Sequence, residues 1–155
     1  MGYYMRALLA EWEDRPLGEL VEFSRAYGQE LRTDARLDDP AWREADLLGT
    51  ESTAPVELEV AFDDGTPDSL VREELAEFRE ELEDSDADPE AVGKVNAHLD
   101  RTQAIVAVRV LGSDSERGLE VAWAVLAYYA QRDGVLFQAD GEGFYEGEEL
   151  IVPLS

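Results

Sequence analysis

A strict alternation of apolar and polar residues over positions 56–63 constrains the fold more than any other stretch of the chain. The apolar side is Val56, Leu58, Val60 and Phe62, and the other side is Glu57, Glu59, Ala61 and Asp63. Because successive side chains of a strand point to opposite faces, this strand has one buried and one solvated face. Such a strand is typical of an antiparallel sheet or of a sheet edge.

Further strands are predicted on both sides of this segment. Residues 103–111 are apolar on both faces apart from Arg109, which favours a central position in the sheet. Residues 3–12 and 135–139 also read as strands. Residues 33–55 hold either a short strand around 45–48 or a long loop anchored by Trp42. The glycine-rich segment 140–149 predicts a tight turn or hairpin, and residues 150–154 are a last strand or a tail.

Four helices are predicted between the strands from helical spacing and capping residues. They start near Pro16, at a Thr66–Pro67–Asp68 cap, at Asp88–Pro89, and at a capping box formed by Ser113 and Glu116. The second of these is expected to reach Asp84. The order is β-α-(β)-β-α-α-β-α-β, which predicts one α+β domain over residues 1–155. We expect a mixed or mostly antiparallel sheet with helices packed on it, of ferredoxin-like flavour.

The net charge limits the function classes. The 155 residues include 37 Asp and Glu against 13 basic residues, a formal net charge of -24, while 45% hydrophobic residues predict a folded globular protein. This charge disfavours nucleic acid and anionic membranes as partners. Twelve arginines against a single lysine, Lys94, also fit a protein adapted to high salt, in which case the charge is not functional.

The location is inferred from what the sequence lacks. Residues 119–130 are too few to span a bilayer, and the N-terminus shows no signal-peptide pattern. We therefore expect a cytoplasmic protein without membrane contact. Cysteine is absent, which excludes disulfides and thiolate chemistry.

The acid is concentrated in one part of the chain, which suggests a docking surface. Residues 51–90 contain 16 acidic and two basic residues, whereas residues 91–135 contain five of each. The sequence therefore predicts an acidic face on the helix that ends at Asp84. Its members are Glu73, Glu77, Glu80, Glu81 and Asp84. Such a face suits a non-catalytic protein that binds a basic protein partner.

No stretch of the sequence has a catalytic or cofactor signature, so we expect no cofactor and favour a non-enzymatic role. His98 is the only histidine, which excludes multi-histidine metal sites within one chain. Asp84, Asp86 and Asp88 stand at alternate positions like the start of a calcium loop. Pro89 occupies the position that requires glycine, which favours a turn with Asp88 as a helix cap and no metal site.

Two alternatives to the acidic binding protein are open. The first alternative is a small-molecule-binding or enzymatic domain. Arg109 in its apolar strand is then the best candidate anchor for an anionic ligand. The helix over 119–130 is apolar nearly all round, so Trp123, Tyr128 or Tyr129 is a candidate for a homodimer interface or a ligand pocket. The other alternative is a salt-adapted domain whose partner is a second copy of itself.

Overall fold

The structure, a computed structural model, describes residues 2–49, 54–66, 69–111 and 115–154. Within these ranges the chain forms seven strands and four helices. In chain order they are β1 Gly2–Leu9, α1 Leu17–Ala26, β2 Glu44–Leu47, β3 Val56–Phe62, α2 Leu70–Glu83, α3 Pro89–Arg101, β4 Ala104–Leu111, α4 Ser115–Ala130, β5 Val135–Ala139, β6 Gly143–Glu146 and β7 Glu149–Pro153. The predicted α+β class is confirmed.

All the strands of the described residues form one open antiparallel sheet. Their order across the sheet is β2-β3-β4-β1-β5-β6-β7. The alternating strand is β3, and the doubly apolar one is β4, which lies inside the sheet between β3 and β1. The short strand predicted around 45–48 is β2 at one edge. Trp42, just before it, is buried and donates its indole N–H to the carbonyl of Arg15 at 3.0 Å.

One face of the sheet packs against α1 and α4. Val121 and Val125 of α4 share a core cluster with Leu20 of α1 and with Met5 and Val106 of the sheet. Because α4 contacts the sheet on one side and α1 on another, it needs apolar residues around most of its circumference. This placement explains the composition of residues 119–130.

The opposite face packs against α2 and α3, which cover only part of it. The cluster on this face consists of Val71, Leu75, Phe78 and Leu82 of α2, Val95 and Leu99 of α3, and Leu8, Ile105, Leu136, Phe144 and Val152 of the sheet. Beyond α2, Glu57 and Arg109 lie on the same sheet face with side chains 42% and 38% exposed. No helix of the described residues therefore covers the corner formed by β2, the start of β3 and the end of β4.

Several helix limits differ from those predicted. Helix α2 begins at Leu70 after Ser69, and the Thr66 hydroxyl instead donates to Asp64 in the preceding turn at 2.6 Å. Pro67 and Asp68 of the predicted cap, and Ser113 of the predicted capping box, lie outside the described residues. Helix α1 ends at Ala26 because Gly28 turns the chain with a φ of +100°.

The hairpin β6–β7 extends the predicted order after β5, where the sequence predicted a tight turn or hairpin followed by either a last strand or a tail. Residues 143–146 are short and lie among turn residues, so their pattern predicts only a turn or hairpin. Phe144 is nevertheless buried on the α2 side, and Gly147, with a φ of +61°, makes the connection to β7. The observed order ends β-α-β-β-β, and it does not confirm the ferredoxin-like arrangement.

Candidate protein-docking surface

The acidic helix face consists of Glu73, Glu77, Glu80 and Glu81 on α2 and of Asp84, the residue that caps its C-terminus. Helical periodicity places four of these residues opposite the apolar stripe that packs on the sheet and Glu81 on the flank of that stripe, and all five are exposed. Among the described residues, none of them forms an ion pair with a basic side chain. The arginines of α2 point elsewhere: Arg72 pairs with Asp63 at 3.0 Å and Arg79 with Asp100 at 2.9 Å.

The end of α2 is electrostatically unfavourable for the helix itself. Unpaired carbonyl groups give a helix C-terminus a partial negative charge, which basic residues usually compensate. The last turn of α2 contains no basic residue, and the helix ends at Glu83 and Asp84. These carboxylates therefore do not stabilise their own helix.

Arg6 connects one flank of α2 to the sheet. Its guanidinium pairs with Glu74, and its Nη1 donates to Gln138 at 2.6 Å and to Asp140 at 2.8 Å. Burial raises the pKa of Glu74, and the attraction of Arg6 only partly offsets this effect. The pKa of Glu81 is also raised, by partial burial and by the negative charge of Asp140, and the attraction of Arg6 only partly offsets these effects. On this flank of α2 the negative charges of Glu74, Glu81 and Asp140 outnumber the one positive charge of Arg6.

The uncovered corner of the sheet is acidic as well. The strand register places Glu44 opposite Glu59 and Asp46 opposite Glu57, so two like-charge pairs face each other across β2 and β3. Like charges at directly opposed positions destabilise a sheet. Arg109 of β4 lies opposite Glu57 of β3. It is the only basic residue in the two cross-strand sets Asp46–Glu57–Arg109 and Glu44–Glu59–Ala107.

A groove of about 420 Å³ separates α2 from this corner. Ala61, Ile105 and Ala107 form part of its floor. Glu73 and Glu77 stand on the α2 side, and Glu59 stands on the strand side. Leu70, at the start of α2, also lines the groove and is 67% exposed. Tyr4 and the paired side chains of Arg6 and Glu74 complete the lining, so the groove has a small apolar floor between two acidic rims and one basic residue that is already in an ion pair.

The predicted ligand anchor Arg109 has an acid of this chain as its partner. Its Nη1 donates to Glu57 at 3.0 Å across β4 and β3. The side chain lies on the uncovered part of the sheet, which explains why a charged residue occurs in an otherwise apolar strand. Its role in ligand binding stays a prediction.

The three aromatic candidates on α4 lie in two places. Tyr128 and Tyr129 are buried beside Trp12, and Tyr128 donates its hydroxyl to Glu19 of α1 at 3.1 Å. Arg132 is positioned over both tyrosine rings, 5.6 and 5.3 Å from their centroids. Trp123 is half-buried and packs edge-to-face on Tyr145 at 6.1 Å. These contacts are internal to the chain, and a homodimer interface stays a prediction.

The remaining candidates have structural contacts. His98 is buried, and its Nε2 lies 2.8 Å from the carbonyl oxygen of Leu8, which can only accept a hydrogen bond. Burial lowers the pKa of this imidazole. Asp88 accepts a hydrogen bond from the amide of Glu90 at 3.1 Å, which confirms it as a helix cap. Within the described ranges, no three acidic or histidine side chains are arranged to hold a metal ion.

Arg6 and the acids of β2 were missed as site residues by the sequence analysis. Arg6 is a lone base in an apolar strand, the same signal that singled out Arg109, and could have been found in that way. The alternation placed Glu57 and Glu59 on the solvated face of β3 but did not reveal that β2 would bring Glu44 and Asp46 beside them.

No protein-family model, curated protein or solved structure matches this chain. None of the helices of the described residues is long and apolar enough to cross a membrane. The case for a function therefore rests on the geometry and charge of the surface alone.

Proposed function

We propose that this chain is a non-catalytic binding protein that docks onto a basic protein through the acidic helix face. The observation that supports the proposal is the absence of ion pairs from Glu73, Glu77, Glu80, Glu81 and Asp84 to basic side chains among the described residues. Several arginines of the described residues form internal ion pairs, such as Arg6 with Glu74 and Arg109 with Glu57. A basic partner supplies the charge that the helix lacks.

The expected contribution of this face is to the rate of association and to specificity. A surface with one sign of charge attracts an oppositely charged partner over distances of the order of the Debye length, about 10 Å at 0.1 M salt. Exposed charges mainly accelerate encounter and exclude wrong partners, and they add less to affinity. Binding should therefore weaken steeply as salt is raised.

Charge reversal on α2 tests the proposal. In one variant all five residues of the acidic helix face are changed to Lys. In a matched control the exposed acids Glu30, Asp34, Glu116, Glu120 and Asp133, which lie outside α2, are changed to Lys, which gives the same total charge change. Basic proteins of a cell lysate are captured on each immobilised protein and eluted with salt.

We expect the α2 variant to lose capture and the control variant to retain it. Circular dichroism spectra of both variants should match that of the unchanged protein, because all ten positions are solvent-exposed. Equal capture by the α2 variant and the unchanged protein would refute the proposal. Equal loss in both variants would show that total charge alone causes the capture, and would refute it as well.

Three finer predictions from the sequence remain proposals. These are the ferredoxin-like flavour of the fold, a cytoplasmic location, and a homodimer that uses the aromatic residues of α4. The packing of Tyr128 and Tyr129 against Trp12 accounts for their burial without a second copy. The exclusion of nucleic acid as a partner continues to rest on the charge of the chain.

A further inference from the structure

The face of the sheet that packs against α2 and α3 has space beside α2 for one more element. We infer that an amphipathic helix of the partner protein, apolar along one stripe and basic on both flanks, binds in the groove between α2 and the acidic corner of the sheet. This inference rests on the proposed function and extends it from the acidic helix face to a defined groove and a defined partner structure.

The apolar stripe of such a helix would contact the floor of the groove. Leu70 is one of few large apolar side chains of the described residues that are strongly exposed, and it stands at the groove. Ala61 and Ala107 are half-buried and have small side chains, which leaves room for the larger side chains of a partner. Covering these residues removes apolar surface from water, which is favourable at about 25 cal/mol per Å².

The basic flanks would meet acids on both sides of the groove. Glu73 and Glu77 lie on the α2 side, and Glu59 with its cross-strand neighbour Glu44 lies on the strand side. The two arginines nearby do not compensate these acids, because Arg6 pairs with Glu74 and Arg109 pairs with Glu57. A cation on the strand side would also relieve the repulsion between Glu44 and Glu59.

The dimensions of the sheet suit a helix. Helix α2 packs on one end of β1, β4 and β3, at Leu8 and Ile105, and the parts of these strands beyond it continue toward β2. The remaining length of β4, over residues 107–111, is roughly 13 Å at about 3.3 Å per residue, and an α-helix with its side chains is about 10–12 Å across. Helices on one face of an antiparallel sheet are a common layer arrangement, and α2 and α3 already form part of such a layer.

The charge of the groove argues against other occupants. A second copy of this chain would place one acidic rim against another, with a net charge of -24 on each molecule. Nucleic acid and anionic metabolites would meet Glu59, Glu73 and Glu77 at the rims. A basic protein segment is the occupant whose charge is complementary.

Synthetic peptides test the inference. The probe is a panel of 18-residue peptides with Leu along one helical stripe and Lys or Arg on both flanks. A scrambled peptide of each composition lacks the stripe. Binding is measured by fluorescence anisotropy, and the bound position is mapped from amide chemical shifts of the isotope-labelled protein.

Two groove variants and two controls locate the binding. Leu70→Asp places a charge at the groove, and Ala107→Trp fills its floor. Ala76→Trp is the control for the tryptophan, because residue 76 is exposed on α2 away from the groove. The double variant Glu80→Lys and Asp84→Lys changes only the part of the acidic helix face that does not line the groove.

We expect the amphipathic peptides to bind at least tenfold more tightly than the scrambled ones. Leu70→Asp and Ala107→Trp should each weaken binding tenfold or more, and Ala76→Trp should leave it unchanged. Chemical-shift changes should centre on Ala61, Leu70 and Ala107. If Ala107→Trp fails to fold, Leu70→Asp and the shift map decide, because Leu70 is a surface residue.

Three results would overturn the groove as the binding place. They are no saturable binding by any peptide, equal binding of scrambled peptides, or binding that survives both groove variants. Loss of binding only in the Glu80 and Asp84 variant would refute the groove while leaving the acidic helix face as the docking surface. A dimer in sedimentation that Leu70→Asp converts to a monomer would assign the groove to a second copy instead.

Discussion

Arg6 and Arg109 lie on neighbouring strands and face the same side of the sheet, yet their surroundings differ. The Arg6 side chain is 14% exposed and is held by Glu74, Asp140 and the ring of Phe78, whose centroid lies 5.6 Å from the guanidinium. The Arg109 side chain is 38% exposed, and its carboxylate partner among the described residues is Glu57. Helix α2 covers Arg6 and does not cover Arg109. We therefore expect Arg6 to contribute more to the free energy of unfolding than Arg109.

Substitution of these two arginines tests that difference. Arg6→Met would leave Glu74 buried without its counter-charge, and we expect the free energy of unfolding to fall by about 3 kcal/mol. Arg109→Met should cost less than about 1 kcal/mol, because its ion pair is exposed and screened. Urea unfolding at pH 7 measures both. Equal losses would contradict the assignment of Arg6 as the residue that links α2 to the sheet.

The titration of His98 with pH tests whether its imidazole is buried in the folded protein. Because burial lowers the pKa of the folded imidazole, the unfolded chain binds a proton that the folded protein resists. The stabilising contribution of neutral His98 is therefore complete above about pH 6.5 and is lost as the pH falls toward the folded-state pKa. The single histidine gives a single imidazole resonance, and we expect its NMR titration midpoint below 6.5. A midpoint at or above that value would contradict the buried placement.

The same imidazole can be tested through stability. His98→Gln should lower the free energy of unfolding more at pH 7.5 than at pH 5.5, because the wild-type histidine loses its advantage in acid. Urea unfolding at the two pH values measures the difference. A loss that is independent of pH would show that His98 contributes through packing alone.

At the scale of elements, glycine has a different role in helix α3 and in the hairpin β6–β7. Gly93 is exposed within α3, and a Cβ there would meet no heavy atom within 4 Å. Gly143 in β6 has a φ of +134°, and a Cβ there would collide with the carbonyl oxygen of Val152. The first glycine only weakens its helix, whereas the second is required by the close approach of β6 and β7.

Alanine substitution at these positions should have opposite effects. Gly93→Ala should stabilise the protein by about 1 kcal/mol and raise the melting temperature by about 2–4 °C. Gly143→Ala should destabilise it by about 2 kcal/mol or more, because the backbone of the hairpin must move. Thermal melts followed by circular dichroism measure both. A neutral Gly143→Ala variant would contradict the observed pairing of β6 with β7.

At the scale of the molecule, the net charge of -24 raises the question of whether the folded state tolerates its own repulsion. The surface that we propose for binding contains like-charge neighbours, such as Glu44 with Glu59, that the fold does not compensate. Salt at about 1 M shortens the Debye length to about 3 Å and suppresses this repulsion. Stability in dilute salt therefore separates a functional charge from an adaptation to brine.

Thermal melts at about 0.05 M and about 2 M KCl give the comparison. For a protein that uses its acidic surface to bind, we expect cooperative unfolding at both concentrations, with a higher melting temperature in concentrated salt. A chain that is unfolded in dilute salt and cooperative only in concentrated salt would contradict that expectation. The net charge would then no longer support the acidic helix face as a binding surface, and Arg109 would become the next candidate binding residue to test.

Local patterns in the sequence determined most of the elements. The alternation over 56–63 specified the two faces of β3, and the apolar run with Arg109 specified an inner strand, because side-chain periodicity follows directly from backbone geometry. The stripe of α2 likewise specified which acids would face solvent. The members of the acidic helix face therefore follow, residue by residue, from the amino-acid sequence.

Only the tertiary structure decided which surfaces combine. The pairing of β2 with β3 places Glu44 opposite Glu59, and the docking of α2 leaves the groove and brings Arg6 to Glu74. The glycine-rich pattern over 140–149 predicted a tight turn or hairpin, but the close approach of Gly143 to Val152 within it depends on the folded backbone. Strand order and helix placement depend on contacts between residues far apart in the chain. The periodicity of a segment reports which side of it is buried, but not which other segment buries it.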